Sequence, residues 1–213
     1  MKQAIDDHLT FYRQFRERFE TTGAIAPSSR FLARALTNPL CGRSGPARVL
    51  EVGPGTGAVT RQLVARLREE DRFDLVELNP QFVTLLNGRF ASDPHYQRVA
   101  EQSTIHAVPL QEFRTDEPYD YIISGLPLNN FPVPLVEEIF ESFLRLLKPG
   151  GTLSYFEYMY VRPMRRMVAK PAEKERLTAL EAVIWKYLGP HRIRQDWVFA
   201  NMPPAWVQHL RKG

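Results

Sequence analysis

The 213-residue chain is long enough for one well-filled domain and too short for a multi-domain machine, and at 44% apolar, 24% charged and 11% aromatic it is neither disordered nor collagen-like. No stretch approaches the roughly 18–20 apolar residues that cross a bilayer, and the N-terminus mixes acids and bases where a secretory signal needs an apolar run. The net charge of +4 is mild, and the single Cys41 supplies neither an internal disulfide nor a thiolate metal cluster, so we expect a reducing, cytoplasmic setting and no metal site.

The N-terminal stretch reads as an amphipathic helix. Ile5, Leu9, Tyr12, Phe15 and Phe19 recur at three- and four-residue spacing with Phe11 at the edge, Lys2, Asp6, Arg13, Glu17 and Glu20 lie opposite, and Arg16 and Arg18 flank the stripe. Such a helix either packs on its own domain or lies in a membrane interface, where aromatic bulk with flanking arginines is at home. Gly23 and Pro27 end it, and Ser28 or Ser29 caps a second helix from about Arg30 to Thr37.

After a break at Gly42 to Pro46 the pattern becomes βα alternation. Strands are expected at Arg48 to Val52, Phe73 to Glu77, Thr104 to Ala107, Tyr119 to Ser124 and Thr152 to Met159, with helices at Val59 to Arg68, Pro80 to Phe90 and Leu135 to Leu147. From Arg162 to Lys170, Arg162, Arg165, Arg166 and Lys170 stand with no acid among them, either a solvated face or a patch for the phosphates of nucleic acid or lipid. A helix at Ala172 to Leu188 and a strand pair, Ile193 to Asn201 and Ala205 to Leu210, complete the chain. The expected fold is α/β: a doubly wound, mostly parallel, seven-stranded sheet with a C-terminal antiparallel hairpin. Residues 1–45 form N-terminal helices and 46–213 the sheet domain.

Glu51-Val52-Gly53-Pro54-Gly55-Thr56-Gly57 falls between the first strand and its helix, where a doubly wound sheet binds its ligand. Glycines there let backbone approach a ligand and leave N–H groups directed into the crevice. Their spacing is not GxGxxG, and no phosphate-binding lysine follows, which excludes a P-loop. The second strand ends in Val76-Glu77-Leu78-Asn79-Pro80, placing Glu77 where an acid chelates ribose hydroxyls.

The glycine turn, Glu77, the Leu147-Lys148-Pro149-Gly150-Gly151-Thr152-Leu153 stretch and the terminal hairpin together resemble the class I methyltransferases that use S-adenosylmethionine and release S-adenosylhomocysteine. The resemblance implies that Glu51, Gly53, Gly55 and Gly57 form the wall behind the cofactor's amino acid end, that Glu77 binds its ribose and that Leu78 lies beside the adenine. Many relatives place an acid after the third strand. Here Ile105-His106-Ala107-Val108-Pro109-Leu110 has none, so backbone near Val108 takes that place.

The acceptor pocket is expected from Ser124-Gly125-Leu126-Pro127-Leu128-Asn129-Asn130-Phe131, which leaves the fourth strand beside the cofactor, so Ser124, Gly125 and Leu126 also touch it. Methyltransferases of planar base amines resemble Asn-Leu-Pro-Tyr or Asp-Pro-Pro-Tyr here. Ser124 and Leu128 replace both key groups, which argues against a nucleic-acid acceptor, although Phe131 retains a ring for stacking. The aromatic N-terminal helix, Thr22-Gly23-Ala24-Ile25-Ala26-Pro27-Ser28-Ser29-Arg30 and Ser124-Gly125-Leu126-Pro127 resemble the bacterial soluble-type phospholipid N-methyltransferases. That resemblance implies N-methylation of a membrane amino-lipid, phosphatidylethanolamine or ornithine lipid. The enzyme would be peripheral on the inner face of the cytoplasmic membrane, held there by the N-terminal helix and the Arg162 to Lys170 run, with no obligate protein partner. It also puts Ser28, Ser29 and Thr22 over the cofactor's amino acid end. Glu157, Tyr158 and Tyr12 are the candidates to orient the amine or accept its proton, with strand packing as the other reading of Tyr158. His106 is a base or a packing residue. An rRNA adenine or small-molecule methyltransferase and a non-catalytic binding module are the alternatives.

Overall fold

A computed structural model describes residues 29–159, 164 and 167–213. Among these residues seven strands form one sheet in the order β3-β2-β1-β4-β5-β7-β6: β1 Arg48–Val52, β2 Arg72–Val76, β3 Ser103–His106, β4 Tyr119–Ser124, β5 Leu147–Tyr158, β6 Arg192–Val198 and β7 Ala205–Arg211. Strands β1 to β5 pair in parallel, and β7 runs antiparallel between β5 and β6. The described helices are α1 Arg30–Leu36, α2 Thr60–Val64, α3 Pro80–Ser92, α4 Pro94–Gln97, α5 Val133–Leu146 and α6 Pro171–His191, with short 3₁₀ turns at Asn38–Leu40, Ala100–Gln102 and Leu128–Asn130. The expected fold class and all seven strands are present. The expected N-terminal helix, with Tyr12 and Ser28, lies outside the described residues, as do Arg162, Arg165 and Arg166.

A parallel strand covered on both faces is apolar on both, and Val49, Leu50 and Val52 of β1 meet that demand by entering two cores, with Glu51 the buried exception. On one face Leu50, Val52, Ile122, Leu153 and Tyr155 pack against Leu135, Ile139, Phe140 and Phe143 of α5 and Leu180 and Ile184 of α6. Phe140 stacks on Tyr187 with centroids 4.9 Å apart, locking α5 to α6. On the other face Val49, Phe73, Leu75, Ile123 and Phe156 meet Leu32, Ala33 and Leu36 of α1, Leu63 and Val64 of α2 and Leu86 of α3. Helix α1 is therefore part of the core. Ser29 caps it as expected, its Oγ accepting the Leu32 N–H.

Two boundaries differ from expectation by four residues or more, the others by three or fewer. Helix α2 spans only Thr60–Val64, because the chain turns at once toward β2. Strand β5 begins at Leu147, since the Gly150 N–H donates to Lys212 O at 2.8 Å and the Lys212 N–H to Gly151 O at 3.1 Å, which pins the Pro-Gly-Gly segment to the C-terminus. Among the described residues no helix is long and apolar enough to cross a membrane, and no cluster of metal-ligating side chains occurs.

Candidate functional site

The order of strands reverses between β1 and β4, and a parallel sheet opens a crevice at such a point, at its carboxyl edge. Val76, Val52, Ser124 and Tyr155 stand in one register row across β2, β1, β4 and β5. One residue beyond that row lie Glu77, Gly53 and Gly125, and two beyond it on β5 lies Glu157. The cofactor and acceptor residues expected from sequence therefore converge on this one edge.

The glycine turn is built by conformation. Gly53, Gly55 and Gly57 have φ of +69°, +56° and +76°, a region that L side chains rarely enter. A Cβ at Gly53 would run into Leu126 and one at Gly57 into Arg89 and Leu86. The sequence reading had the turn's N–H groups directed into the crevice, and the structure corrects this. Gly53 N–H donates to Val76 O at 3.0 Å, Gly57 N–H to Pro54 O at 2.9 Å and Gly55 N–H to Glu77 Oε2 at 2.9 Å. The turn offers a surface that a ligand can approach closely, with its own three glycine amides already satisfied.

Glu77 is 7% exposed, and its second oxygen accepts the Asn79 N–H at 2.8 Å. Each carboxylate oxygen keeps a lone pair after these bonds, so the group is held in one orientation with acceptors left for a diol. Leu78 follows half-buried, and Val108 packs against the core beyond the end of β3. Across the switch point Gly125 N–H donates to Val52 O at 2.8 Å, and a Cβ on Gly125 would lie 2.6 Å from Gly53 O, so the two chain segments touch backbone to backbone. Ser124 is fully buried and its Oγ accepts the Leu126 N–H at 3.2 Å, which shapes the start of the acceptor segment.

Glu51 lies behind the turn, on the α2 face and fully buried. Burial pushes its carboxyl up to about 8, with Thr60 opposing the shift and the Glu77 charge adding to it. The Thr60 hydroxyl and backbone N–H face it and favour its charge without meeting full hydrogen-bond geometry, so its two oxygens and the Thr60 hydroxyl stay incompletely paired. Ser29 N–H donates to Asn201 Oδ1 at 3.0 Å, which ties the start of α1 to the β6–β7 turn at the same edge.

The two β5 candidates separate. Tyr158 packs in the α1-side core edge-on to Phe156, and burial pushes its phenol up to about 12, so it stays protonated. Glu157 faces the opposite side, where Tyr155 OH and Gln208 Nε2 donate to its Oε1 at 3.3 and 3.4 Å. Phe131 is fully buried and so is no stacking platform; its carbonyl accepts from Arg176 Nη1 at 3.1 Å, which ties the acceptor segment to α6. His106 is bonded through Nε2 to Asp74 at 2.7 Å, and Tyr119 OH donates to the same carboxylate at 2.8 Å, with the His106 ring against Phe113. That is a packing role. Ser154, His209 and Asp196 line up like a nucleophilic relay, but Ser154 and His209 are 2% and 1% exposed within the sheet, out of reach of any substrate.

Residues 49–151 match the methyltransferase-domain family. The chain carries an S-adenosylmethionine-dependent methyltransferase domain. It is 29% identical over 163 residues to the ornithine lipid N-methyltransferase of Singulisphaera acidiphila, covering 75% of this chain and 84% of that protein. Among solved structures it resembles the glycopeptide N-methyltransferase MtfA complexed with S-adenosylhomocysteine, with TM-score 0.66 and 15% identity over 89% of this chain and 92% of the other. It also resembles the N-methyltransferase NodS from Bradyrhizobium japonicum with S-adenosylhomocysteine, with TM-score 0.59 and 17% identity over 85% and 87%. At these identities the structures speak to the fold.

The methyltransferase's own residues fit the cofactor: a turn that only glycine can form, an oriented carboxylate beside it, and an unsatisfied buried carboxyl behind it. Bound there, S-adenosylmethionine supplies a sulfonium methyl, an electrophile that needs no metal or covalent enzyme intermediate to react.

Two polar residues of the site escaped the sequence reading: Gln208 and Trp206 on β7. Each carries a buried polar atom without a partner. No local motif marks them, because they reach the site only through strand register.

Proposed function

We propose that the methyltransferase methylates the primary amine of a membrane amino-lipid, ornithine lipid or phosphatidylethanolamine. The likeness to an ornithine lipid N-methyltransferase, spanning three quarters of the chain, carries this reading. The site is consistent with it. A buried carboxylate, Glu157, lies at the carboxyl edge beyond Ser124, the natural partner of an ammonium that must lose a proton before its lone pair can attack. Of the three catalytic candidates we assign this role to Glu157, since the Tyr158 phenol holds its proton and faces away.

In the same reading Gly53, Gly55, Gly57, Glu77, Leu78 and Val108 hold the cofactor, with Gly125 and Leu126 beside the reacting methyl and Ser28 and Ser29 as the cover, whereas α1 and the residues after it up to 45 belong to the core and the opposite edge. The segment of residues 1–20, with its amphipathic sequence pattern, and the basic run ending at Lys170 rest on the cytoplasmic leaflet in this reading, each cation adding about 1 kcal/mol near an anionic surface. Lys170 is exposed at the start of α6, as that role requires.

The reading is tested by mass spectrometry of lipid extracts from bacteria that make both amino-lipids and express the wild type or Glu77→Ala. Amino-lipids carrying extra methyl groups with the wild type alone are expected. Unchanged lipids in cells with soluble wild-type protein would refute it.

A further inference from the structure

Glu157 is paired across the β5–β7 ladder with Trp206, and Tyr155 with Gln208, so these four side chains share one face at the carboxyl edge of the sheet. Gln208 is 3% and Glu157 4% exposed. The Gln208 amide is oriented unambiguously: its Nε2 donates to the Glu157 carboxylate, and the reverse orientation would set two acceptors against each other. That leaves Gln208 Oε1 buried with no donor, and beside it the Trp206 Nε1–H buried with no acceptor. Buried polar atoms are paired in the great majority of cases, so an orphaned acceptor and an orphaned donor flanking one buried carboxylate mark a place where a ligand completes the set. The ligand chemistry follows from the atoms. A carboxylate and an amide oxygen together want N–H donors on a cation, and an indole N–H wants an anionic oxygen. Trp206 lies edge-to-face with the exposed Trp197 at 5.8 Å, and Trp197 in turn contacts exposed Phe199, so an aromatic path leads from this set to the surface.

We infer that Glu157 and Gln208 form a two-acceptor cradle for the substrate amine and that Trp206 receives the anionic group of the same head, phosphate in phosphatidylethanolamine or carboxylate in ornithine lipid. The inference rests on the amino-lipid reading and gives it a rule for how many methyl groups are accepted. The ammonium passes one proton to the Glu157 carboxylate and so exposes its lone pair. The new C–N bond forms as the methyl–sulfur bond breaks with its electron pair left on sulfur, and Glu157 returns its proton to water. During attack a primary amine still has two N–H bonds, one for each acceptor. A secondary amine has one and a tertiary amine none, so each added methyl removes a donor from the cradle and leaves Gln208 Oε1 without its partner. The cradle therefore ranks primary above secondary above tertiary amines, and Gln208 is the positioning residue that sets the ranking.

The test measures kcat and KM of the full-length protein on liposomes of phosphatidylethanolamine and of its monomethyl and dimethyl derivatives, at constant anionic lipid, with ornithine lipid as a parallel arm. For the wild type, kcat/KM should fall with each methyl already present, by about tenfold or more in total, the worth of a hydrogen bond left unmade in a buried site. Gln208→Leu should flatten that series to within about threefold, chiefly by raising KM for the primary amine. Trp206→Phe should raise KM on both lipid types. Equal wild-type kcat/KM across the three derivatives overturns the cradle whatever the variants do, and so does an unchanged series in a folded Gln208→Leu. Transfer to none of these lipids by the wild type would instead remove the amino-lipid reading itself, and the cradle with it.

Discussion

Glu77 Oε2 accepts the Gly55 N–H at 2.9 Å, so two sequence signals 22 residues apart are one physical unit. The acid that offers lone pairs to a ribose also holds the glycine turn in the shape that receives the rest of the cofactor. Glu77→Ala should remove both contributions and weaken S-adenosylhomocysteine binding by about 100-fold, while Glu77→Gln, which must set its NH₂ against one of two backbone N–H donors, should weaken it by about tenfold or more. Isothermal calorimetry on the two variants checks this; equal affinity in Glu77→Ala and wild type would contradict the assignment.

Gly125 is required by close packing rather than by backbone freedom, since its Cβ would sit 2.6 Å from Gly53 O. Gly125→Ala should cost about 1–3 kcal/mol in urea denaturation and loosen the cofactor as well, because the backbone it displaces is the glycine turn. Gly88 in α3 supplies the contrast: nothing lies within 4 Å of its added Cβ, and the site is exposed and helical. Gly88→Ala should therefore stabilise by about 0.5–1 kcal/mol and leave binding untouched.

Burial raises the Glu51 carboxyl from 4.5 to about 8, so between those values the folded protein holds a proton that the unfolded chain releases. With more protons bound in the folded state, stability falls as pH rises: the contribution is complete below about 4.5 and is lost progressively up to about 8. Glu51→Gln, neutral throughout, should flatten that part of the profile, removing a slope of up to about 1.4 kcal/mol per pH unit. Urea midpoints of the two proteins across this range give the comparison, and parallel profiles would mean that the buried carboxyl does not titrate with folding.

The fold was legible because its strands obey simple demands. Val49, Leu50 and Val52 feed both cores from one short strand, and the glycine turn that follows it ends 20 residues before Glu77, a spacing that suits a βαβ unit. What was not legible depended on contacts between distant segments. The start of β5 at Leu147 is set by bonds to Lys212, and Phe131 is buried by α5 and α6, neither of which its local sequence reveals. The glycine amides looked free for a ligand until Val76 O, Pro54 O and Glu77 were seen to take them. Gln208 and Trp206 had no motif at all; they join Glu157 because β7 runs antiparallel to β5 in one particular register.

The central claim is that the acceptor is a lipid amine, and the most direct measurement is transfer of labelled methyl from S-adenosylmethionine by the purified full-length protein. Liposomes containing ornithine lipid, liposomes containing phosphatidylethanolamine and ribosomal RNA are offered in parallel. Label recovered in the lipid phase, dependent on Glu77 and absent from RNA, is the predicted result. Label in RNA, or none in either lipid from protein that binds S-adenosylhomocysteine, would contradict it.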